Sequence, residues 1–584
     1  MLKRLIAWLF LLGILLPAIP ASAADVVLGG KTVFRIDGQA EAQALSKRIE
    51  GLLQNGAAAS AIRVEKKDKG AAIYWGSELI ITVTPELARS NNSEALPLAR
   101  RWADNMYDVA SIGLLNVDCS RVVLSIEGEK LINTSGLAEG DLIVKEPQGI
   151  VSVTVYDDGS ILLHAQRLGK TQVTISKGKG VQTVWVHVKD WAGRIPKQLE
   201  AEVTGHPALD VHVQQAVLLA VATNTFVNPG CSVEFDTDGF LPRDVPAGAT
   251  MRFAVPMTIA AGEDYLPVRG TAYVDVRNVA VEWQEQNLLL VSNRPERVDQ
   301  DGVLLNYTFS KNEPTRLMYS HLNDSAKPRN FWVNLSNPGS TPVKLLVNWT
   351  YAGPGKSEIH VGQTSAKRFL QSLAAQSGCI VTLRPGMVME LADHTVHNKM
   401  LVTGFAMMQI LEGDAVNVEV RNVLAPSEND ARPLPDIGAP FNPFKIHPHG
   451  VFAQPYFEME AEYTYGKDPV VIRYGESPWL IDFETGLPNT GNFGVLYKAI
   501  IELKNPDNRT RQAGLYFKPL NGPGGANFLI DGRLFQAPFR KVQNECLVTR
   551  IELSPRSNHL IEVITLPEAS SCYPAQFEIR ALTP

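Results

Sequence analysis

Apolar residues recur at helical spacing in two segments near the N-terminus. From Gln39 to Gln54, Ala42, Leu45, Ile49 and Leu52 step by three and four, and Asn55-Gly56 supplies a stop. A second helix is expected over about Ser93 to Val109, with Leu98, Trp102, Met106 and Val109 on one face. Short extended runs lie between them, at Ile62 and Val64, Ile73 to Trp75 and Leu79 to Val83. The period then changes from helical to alternating. Val151, Val153 and Val155 alternate with polar residues, Asp157-Asp158-Gly159 turns the chain, and Ile161 to Ala165 follows. Val173 and Ile175, the turn Lys177-Gly178-Lys179-Gly180, and Val184, Val186 and Val188 complete a small β-sandwich.

From about Ile195 onward the pattern predicts strand, turn and loop almost throughout, punctuated by pairs such as Pro229-Gly230, Pro354-Gly355 and Asn505-Pro506. The prolines from Pro426 to Pro448 predict an extended linker over 426–450. Two landmarks suggest duplication. Phe331 to Pro338 is echoed by Ala499 to Pro506, and Cys379-Ile380-Val381-Thr382 by Cys546-Leu547-Val548-Thr549. The offsets, 505 − 337 = 168 and 546 − 379 = 167, agree within one residue. The expected fold class is mainly β, with tandem Ig-like or β-sandwich domains preceded by a small α+β domain. The expected boundaries are a signal peptide at 1–23, the α+β domain at 25–115 and an Ig-like sandwich at 116–192. Further sandwiches are expected at 195–290 and 291–425, then the linker, then a C-terminal sandwich at 451–584.

Three stretches resemble known modules. Val33 to Ile36, Ile80 to Thr84 and Leu98 to Ala103 resemble a periplasmic module of envelope proteins, including mechanosensitive-channel-like proteins of cyanobacteria. Val151 to Val155, Leu168 to Ile175 and Val184 to Val188 resemble bacterial Ig-like domains of intimins and invasins, and the N-terminal module of pilus-formation and secretin proteins. Tyr474 to Trp479, Gly491 to Tyr497 and Ser570 to Pro574 are similar to a C-terminal module of uncharacterised exported bacterial proteins. These resemblances imply an envelope location and β-rich modules, without a chemistry.

Composition adds the compartment. Lys3 and Arg4, the apolar run Leu5 to Leu16 and the small residues Ala21-Ser22-Ala23 predict a signal peptide cut after Ala23. A run of that length falls short of the roughly 20 residues that span a bilayer. The expected membrane contact is therefore only that transient leader, and the expected location is exported: periplasmic, cell-surface or secreted. At 584 residues several cores are expected. The formal charge of −6, with no long basic run, argues against nucleic acid as a partner. Five cysteines in an exported chain leave Cys546 and Cys572 as a candidate disulfide, and the widely separated Cys119, Cys231 and Cys379 are left open, with buried free thiols as the plain reading.

Candidate chemistry is sparse. None of the common nucleophile, zinc-protease, phosphate-loop or dinucleotide motifs occurs. His394 with His397, and His447 with His449, are spaced closely enough to share a metal, yet neither pair has an evident third ligand. Glu458, Glu460 and Glu462 alternate opposite Phe457, Met459 and Ala461, the pattern of a solvated strand face as much as of a carboxylate pair. Asp482 and Glu484, after Trp479, share that ambiguity. Aromatic residues cluster from Phe441 to Tyr465, and Tyr456, Phe457, Tyr463 and Tyr465 form a candidate ligand platform. Trp332 and Trp349 are expected in the core. No catalytic, cofactor or metal-binding residue is assigned. The expected function is a non-catalytic structural or interaction scaffold, with envelope proteins or cell-wall and surface glycans as partners. The alternatives are a carbohydrate-binding or carbohydrate-active sandwich, and an accessory part of a pilus or secretion assembly.

Overall fold

A computed structural model describes residues 23–236, 238–425 and 449–582. The leader up to Ser22 and the linker residues 426–448 lie outside the described residues. The chain divides into two compact units. One reaches to Gly193 and takes in Val227–Ser232 and Ile259–Val268; the other comprises Arg194–Phe226, Val233–Thr258 and everything from Arg269. The fold is mainly β, with a small α+β module first.

In the first unit, the strands Ile62–Lys67, Gly70–Trp75 and Glu78–Val83 form an antiparallel meander. The helices α1 (Gln39–Gln54), α2 (Pro85–Ser90) and α3 (Ala95–Ala110) accompany it. The apolar stripe of α3 buries Leu98, Trp102, Met106 and Val109, and Trp102 stacks on Phe34 at 4.7 Å. The next module is a two-sheet sandwich. One sheet runs Leu142–Lys145, Gly169–Lys177, Gly180–Trp191, with Arg121–Ser125 added parallel to the last. The other holds Val151–Val155, Ile161–Ala165 and Glu129–Ile132. Alternating valines and isoleucines, including Val173, Ile175, Val184, Val186 and Ile161, fill the space between.

The second unit departs from expectation in three ways. First, α4 (Asp210–Asn224) and α5 (Glu358–Ala374) are helices where the pattern predicted only strands. Four valines in α4 read as β-branched strand residues, and Gly362 interrupts the apolar stripe of α5. Second, 195–290 and 291–425 are not separate sandwiches. Gln198–Thr204 runs parallel to Val268–Asn278 and antiparallel to Gly378–Leu383, with Glu202 opposite Ile380. Pairing on both sides closes edges that separate domains would leave open. Third, the C-terminal sandwich does not stand apart, because Gly450–Ala453 pairs with Leu288–Ser292 and Leu289, Phe405 and Met407 enter its core.

The duplication is visible in strand pairing. In the first copy we label β1 (Thr315–Asn323), β2 (Arg329–Ser336), β3 (Val343–Gly355), β4 (Gly378–Leu383), β5 (Val388–Val396) and β6 (Leu401–Glu412). In the second copy the labels are β7 (Val470–Tyr474), β8 (Leu496–Asn505), β9 (Arg511–Pro519), β10 (Cys546–Leu553), β11 (Ser557–Thr565) and β12 (Ala575–Ala581). The first copy pairs β1 with β6, β2 with β5, and β3 with both β4 and β6. The second pairs β7 with β12, β8 with β11, and β9 with both β10 and β12. Each of these pairings has its counterpart, while outside them β2 runs antiparallel to Ala415–Leu424 and β8 parallel to Tyr456–Thr464.

The same side chain ends the same strand in each copy. Asn337 Nδ2 donates to Thr341 O at 2.7 Å and to Leu383 O at 2.9 Å, while its Oδ1 accepts from Gly339 N at 2.8 Å. Asn505 Nδ2 donates to Arg509 O at 2.9 Å and Leu553 O at 3.1 Å, and its Oδ1 accepts from Asp507 N at 3.0 Å. Both asparagines are buried, so each amide satisfies backbone groups that water cannot reach. The proline that follows each, Pro338 and Pro506, has no N–H to place. Asn323 at the end of β1 repeats the arrangement with Lys327 O and Val396 O.

The copies differ in what is inserted. Helix α5 lies between β3 and β4, and a hairpin of Gly524–Ile530 and Arg533–Arg540 lies between β9 and β10. The insertions meet: Asn527 Nδ2 donates to Gln363 O at 3.0 Å, and Gln363 Nε2 to Ala537 O at 3.3 Å. Gly362 is required by close approach, since a Cβ there would sit 2.0 Å from the carbonyl oxygen of Ala569.

Candidate interaction surface

In the loop from Gly475 to Val495, between β7 and β8, Asp482, Asn489 and Asn492 turn inward while Trp479, Ile481, Phe483 and Leu487 turn outward, and Leu480, Phe493 and Val495 pack on the core. Asn492 is fully buried. Its Nδ2 donates to Pro478 O at 3.1 Å and Tyr497 Oη at 2.7 Å, and its Oδ1 accepts from Leu480 N at 2.9 Å. Its φ of 49° is left-handed, which asparagine tolerates better than most residues. Asn489 closes a tighter ring, donating to Phe493 O at 3.0 Å and accepting from Phe493 N at 3.2 Å. Asp482, 2% exposed, accepts from Glu484 N at 2.9 Å and Thr485 Oγ1 at 2.6 Å. Phe483 N donates to Val451 O at 3.1 Å, and Arg294 Nη2 to Pro488 O at 2.9 Å, tying the loop to neighbouring segments.

On this frame Trp479 (38% exposed), Ile481 (56%), Phe483 (56%) and Leu487 (46%) face solvent. Single exposed apolar residues are ordinary, but four large ones on one ordered loop form a patch of the kind that marks an interaction site. Residues 474–497 contain Glu476, Asp482 and Glu484 and no Lys or Arg, with Asp482 buried and Arg294 the cation that reaches the loop, at Pro488. His449 approaches Glu484 at 3.8 Å on one flank.

The structure places the sequence-predicted site residues elsewhere. Phe457, Tyr463 and Tyr465 do not form a ligand platform, because all three share the core-facing side of the strand Tyr456–Thr464 and its continuation. Tyr463 is fully buried, Phe457 stacks on Tyr497 at 5.1 Å, and Tyr465 lies under the Arg511 guanidinium at 5.1 Å. Tyr456 points the other way, with Glu458, Glu460 and Glu462. Those carboxylates form a solvated face, in which Lys498 pairs with Glu458 at 3.6 Å and Lys504 with Glu462 at 2.7 Å. Phe441, Phe444 and His447 lie outside the described residues.

The expected Cys546–Cys572 disulfide is not formed. Cys546 is buried where β10 begins opposite Phe517, Cys572 is exposed in the loop before β12, and both are free, as are Cys119, Cys231 and Cys379. His394 and His397 do not converge on one site. His394 is buried with Nε2 3.0 Å from Tyr319 Oη, and burial lowers its pKa to about 4; His397 lies in the following turn. Among the described residues no group of three or more His, Cys, Asp or Glu could hold a metal ion.

Two Ser–His contacts escaped the sequence because their partners are far apart in the chain. Ser292 Oγ lies 2.9 Å from His321 Nε2, and Ser377 Oγ 2.7 Å from His212 Nδ1. All four residues are fully buried, and burial lowers the His212 pKa to about 3. These pairs hold strands and helix together and are closed to substrate. The exposed loop was also missed, because Trp479, Ile481 and Phe483 alternate like a strand with one buried face.

Residues 25–109 match the family model described as "Domain of unknown function (DUF8459)". No curated protein matches the chain. Among solved structures, domains 5–6 of the S-layer protein SbsC align at 15% identity over 28% of this chain and 96% of that one, with a TM-score of 0.12. Domains 1–6 of the same protein align at 12% identity over 27% of this chain and 25% of that one, with a TM-score of 0.13. The titin Ig tandem A164–A165 aligns at 7% identity over 28% and 97%, with a TM-score of 0.12. Scores of this size carry no argument, so the functional reading rests on the chain's own geometry. Among the described residues no helix is long and apolar enough to cross a membrane.

Proposed function

We propose that this chain is an exported, non-catalytic scaffold of the envelope or cell surface that engages a protein partner through the 475–495 loop. The supporting observation is the inverted loop: buried Asp482, Asn489 and Asn492 fix a frame from which Trp479, Ile481, Phe483 and Leu487 project. Rigid aromatic and branched side chains are the anchors that dominate protein interfaces, because little conformational entropy is lost when they dock. The acidic surround fits a partner whose apolar pocket is rimmed by Lys or Arg, and opposes an anionic lipid surface. Export is part of the same proposal, supported by the charged, apolar and small residues in order from Lys3 to Ala23. The intimin and invasin kinship of the 116–192 module is likewise proposed from its strand sequences.

The test is co-sedimentation of the purified chain with envelope fragments, before and after protease stripping. The wild-type chain is expected to co-sediment with intact fragments only, and the double variant Ile481→Ser, Phe483→Ser with neither. Both substitutions are at exposed positions, so the melting temperature is expected to stay within about 2 °C. Equal co-sedimentation of variant and wild type would refute the proposal. Binding that survives protease and persists on anionic lipid vesicles would replace the protein partner with the membrane.

A further inference from the structure

A groove of about 1160 Å³ opens in the second unit between α4 and α5, floored by Trp349, Thr350 and Tyr351 of β3 and bordered by Glu390 of β5. We infer that this groove binds a neutral oligosaccharide, with Tyr351 as its stacking platform. The inference is independent of the 475–495 loop.

The platform is built in advance. Tyr351 is 37% exposed, and its ring stands edge-on to the His394 imidazole at 4.6 Å and 69°. His394 is itself fixed by Tyr319 Oη at 3.0 Å. The exposed ring thus presents an apolar face without reorganisation, as stacking on the C–H face of a pyranose requires.

Around the ring lie polar groups with hydrogen-bonding capacity left over. Gln371, exposed, and Gln214, half-buried, line the groove with their amides, while Gln215 Nε2 donates to Trp349 O at 3.0 Å and steadies the floor. Arg368 spends one N–H on Tyr351 O at 2.5 Å and keeps the rest of its fork. The Glu390 and Asp210 carboxylates also line the groove. A mixture of acceptors and donors beside an aromatic face matches a polyhydroxylated ring, whose hydroxyls both donate and accept.

Other ligand classes fit less well. Asp210, Asp244 and Glu390 outnumber the single guanidinium of Arg368, which disfavours a phosphate or an acidic sugar. Strand β3 pairs with β4 only over Val343–Val347, and at the groove floor the carbonyls of Trp349 and Tyr351 are taken by Gln215 Nε2 and Arg368 Nη1, so an extended peptide would have to displace both side chains. The volume exceeds the roughly 300–1,000 Å³ of small-ligand sites and suits a chain of sugars more than a single one.

The test is isothermal titration of the full chain with four- to six-residue oligomers of β-1,4-glucose, β-1,4-xylose, α-1,4-glucose and β-1,4-N-acetylglucosamine. Saturable binding of at least one is expected. Tyr351→Ala should weaken it by about tenfold or more, Tyr351→Phe should retain it, and Arg368→Gln should weaken it less. Tyr456→Ala, on a different strand face, should leave it unchanged, and circular dichroism of all variants should match wild type. Failure of every oligomer to bind would overturn the inference, as would binding that survives Tyr351→Ala in a folded variant.

Discussion

Glu568 offers a stringent test of the joint between the two sandwich copies. Its carboxyl is fully buried between β11 and β12, with Oε1 accepting from Asn527 Nδ2 at 2.5 Å and Oε2 without a partner. Burial outweighs the Asn527 bond and raises its pKa from 4.5 to about 8. Between those values the folded protein holds a proton that the unfolded chain has released. Stability therefore falls as pH rises, by about 1.4 kcal/mol per unit. Over the 3.5 units from 4.5 to 8 the loss sums to roughly 5 kcal/mol, nearly complete by pH 8 and absent below pH 4.5. Glu568→Gln keeps the shape and the Asn527 bond and removes the titration. The assay is urea unfolding from pH 5 to pH 9, read by hydrogen exchange in the hairpin 524–540. Wild type should weaken steeply with pH, while the variant follows a flatter line, within about 1 kcal/mol of wild type at pH 5 and several above it at pH 8 to 9. Parallel pH profiles would refute the reasoning.

Three further outcomes follow from the same packing. Asn505→Ala strands the buried carbonyl of Leu553 and removes the partner of the part-buried carbonyls of Arg509 and Ser554 and of the Asp507 N–H. It should cost about 2–4 kcal/mol in urea unfolding, and a loss below about 0.5 would contradict the clamp. Gly362→Ala should destabilise despite the roughly 1 kcal/mol that alanine gains in a helix interior, because the Ala569 carbonyl is in the way; a raised melting temperature would show that α5 packs differently. Native protein should react quickly with a thiol reagent at exposed Cys572. Cys379, buried with its thiol pKa held well above the usual range, should react only on unfolding. A mass two hydrogen atoms short, with no reactive thiol at Cys572, would restore the disulfide.

Local pattern made the first unit readable. Helices α1 and α3 follow stripes complete within their own sequence, and the hairpin turn at Asp157-Asp158-Gly159 joins Val155 to Ile161 as its residues predict. The duplication was legible because Asn337 and Asn505 each end a strand before a proline and clamp the turn that follows within four residues, although each also reaches a distant strand at Leu383 and Leu553. What failed was set by distant contacts. Helix α4 is apolar over most of its surface and rich in valine, so only its packing decides between helix and strand. The junction of Gln198–Thr204 with β4 spans almost 180 positions, as Glu202 opposite Ile380 shows, and no periodicity announces it. In Tyr456–Thr464 the alternation itself was legible, and it was the wet face that carried the glutamates. The loop bearing Trp479 inverts the usual rule, burying Asp482 and exposing Phe483, because the side-chain carboxylate is needed to satisfy backbone N–H groups.

The most direct test of the scaffold proposal is photo-crosslinking in living cells, with a benzophenone amino acid at position 483 and, as control, at the somewhat more exposed Leu560 on β11. Discrete, protease-sensitive crosslinked bands from position 483 and none from position 560 are the predicted result. The same bands from both positions, or none from 483 while the protein is folded and abundant, would contradict the account.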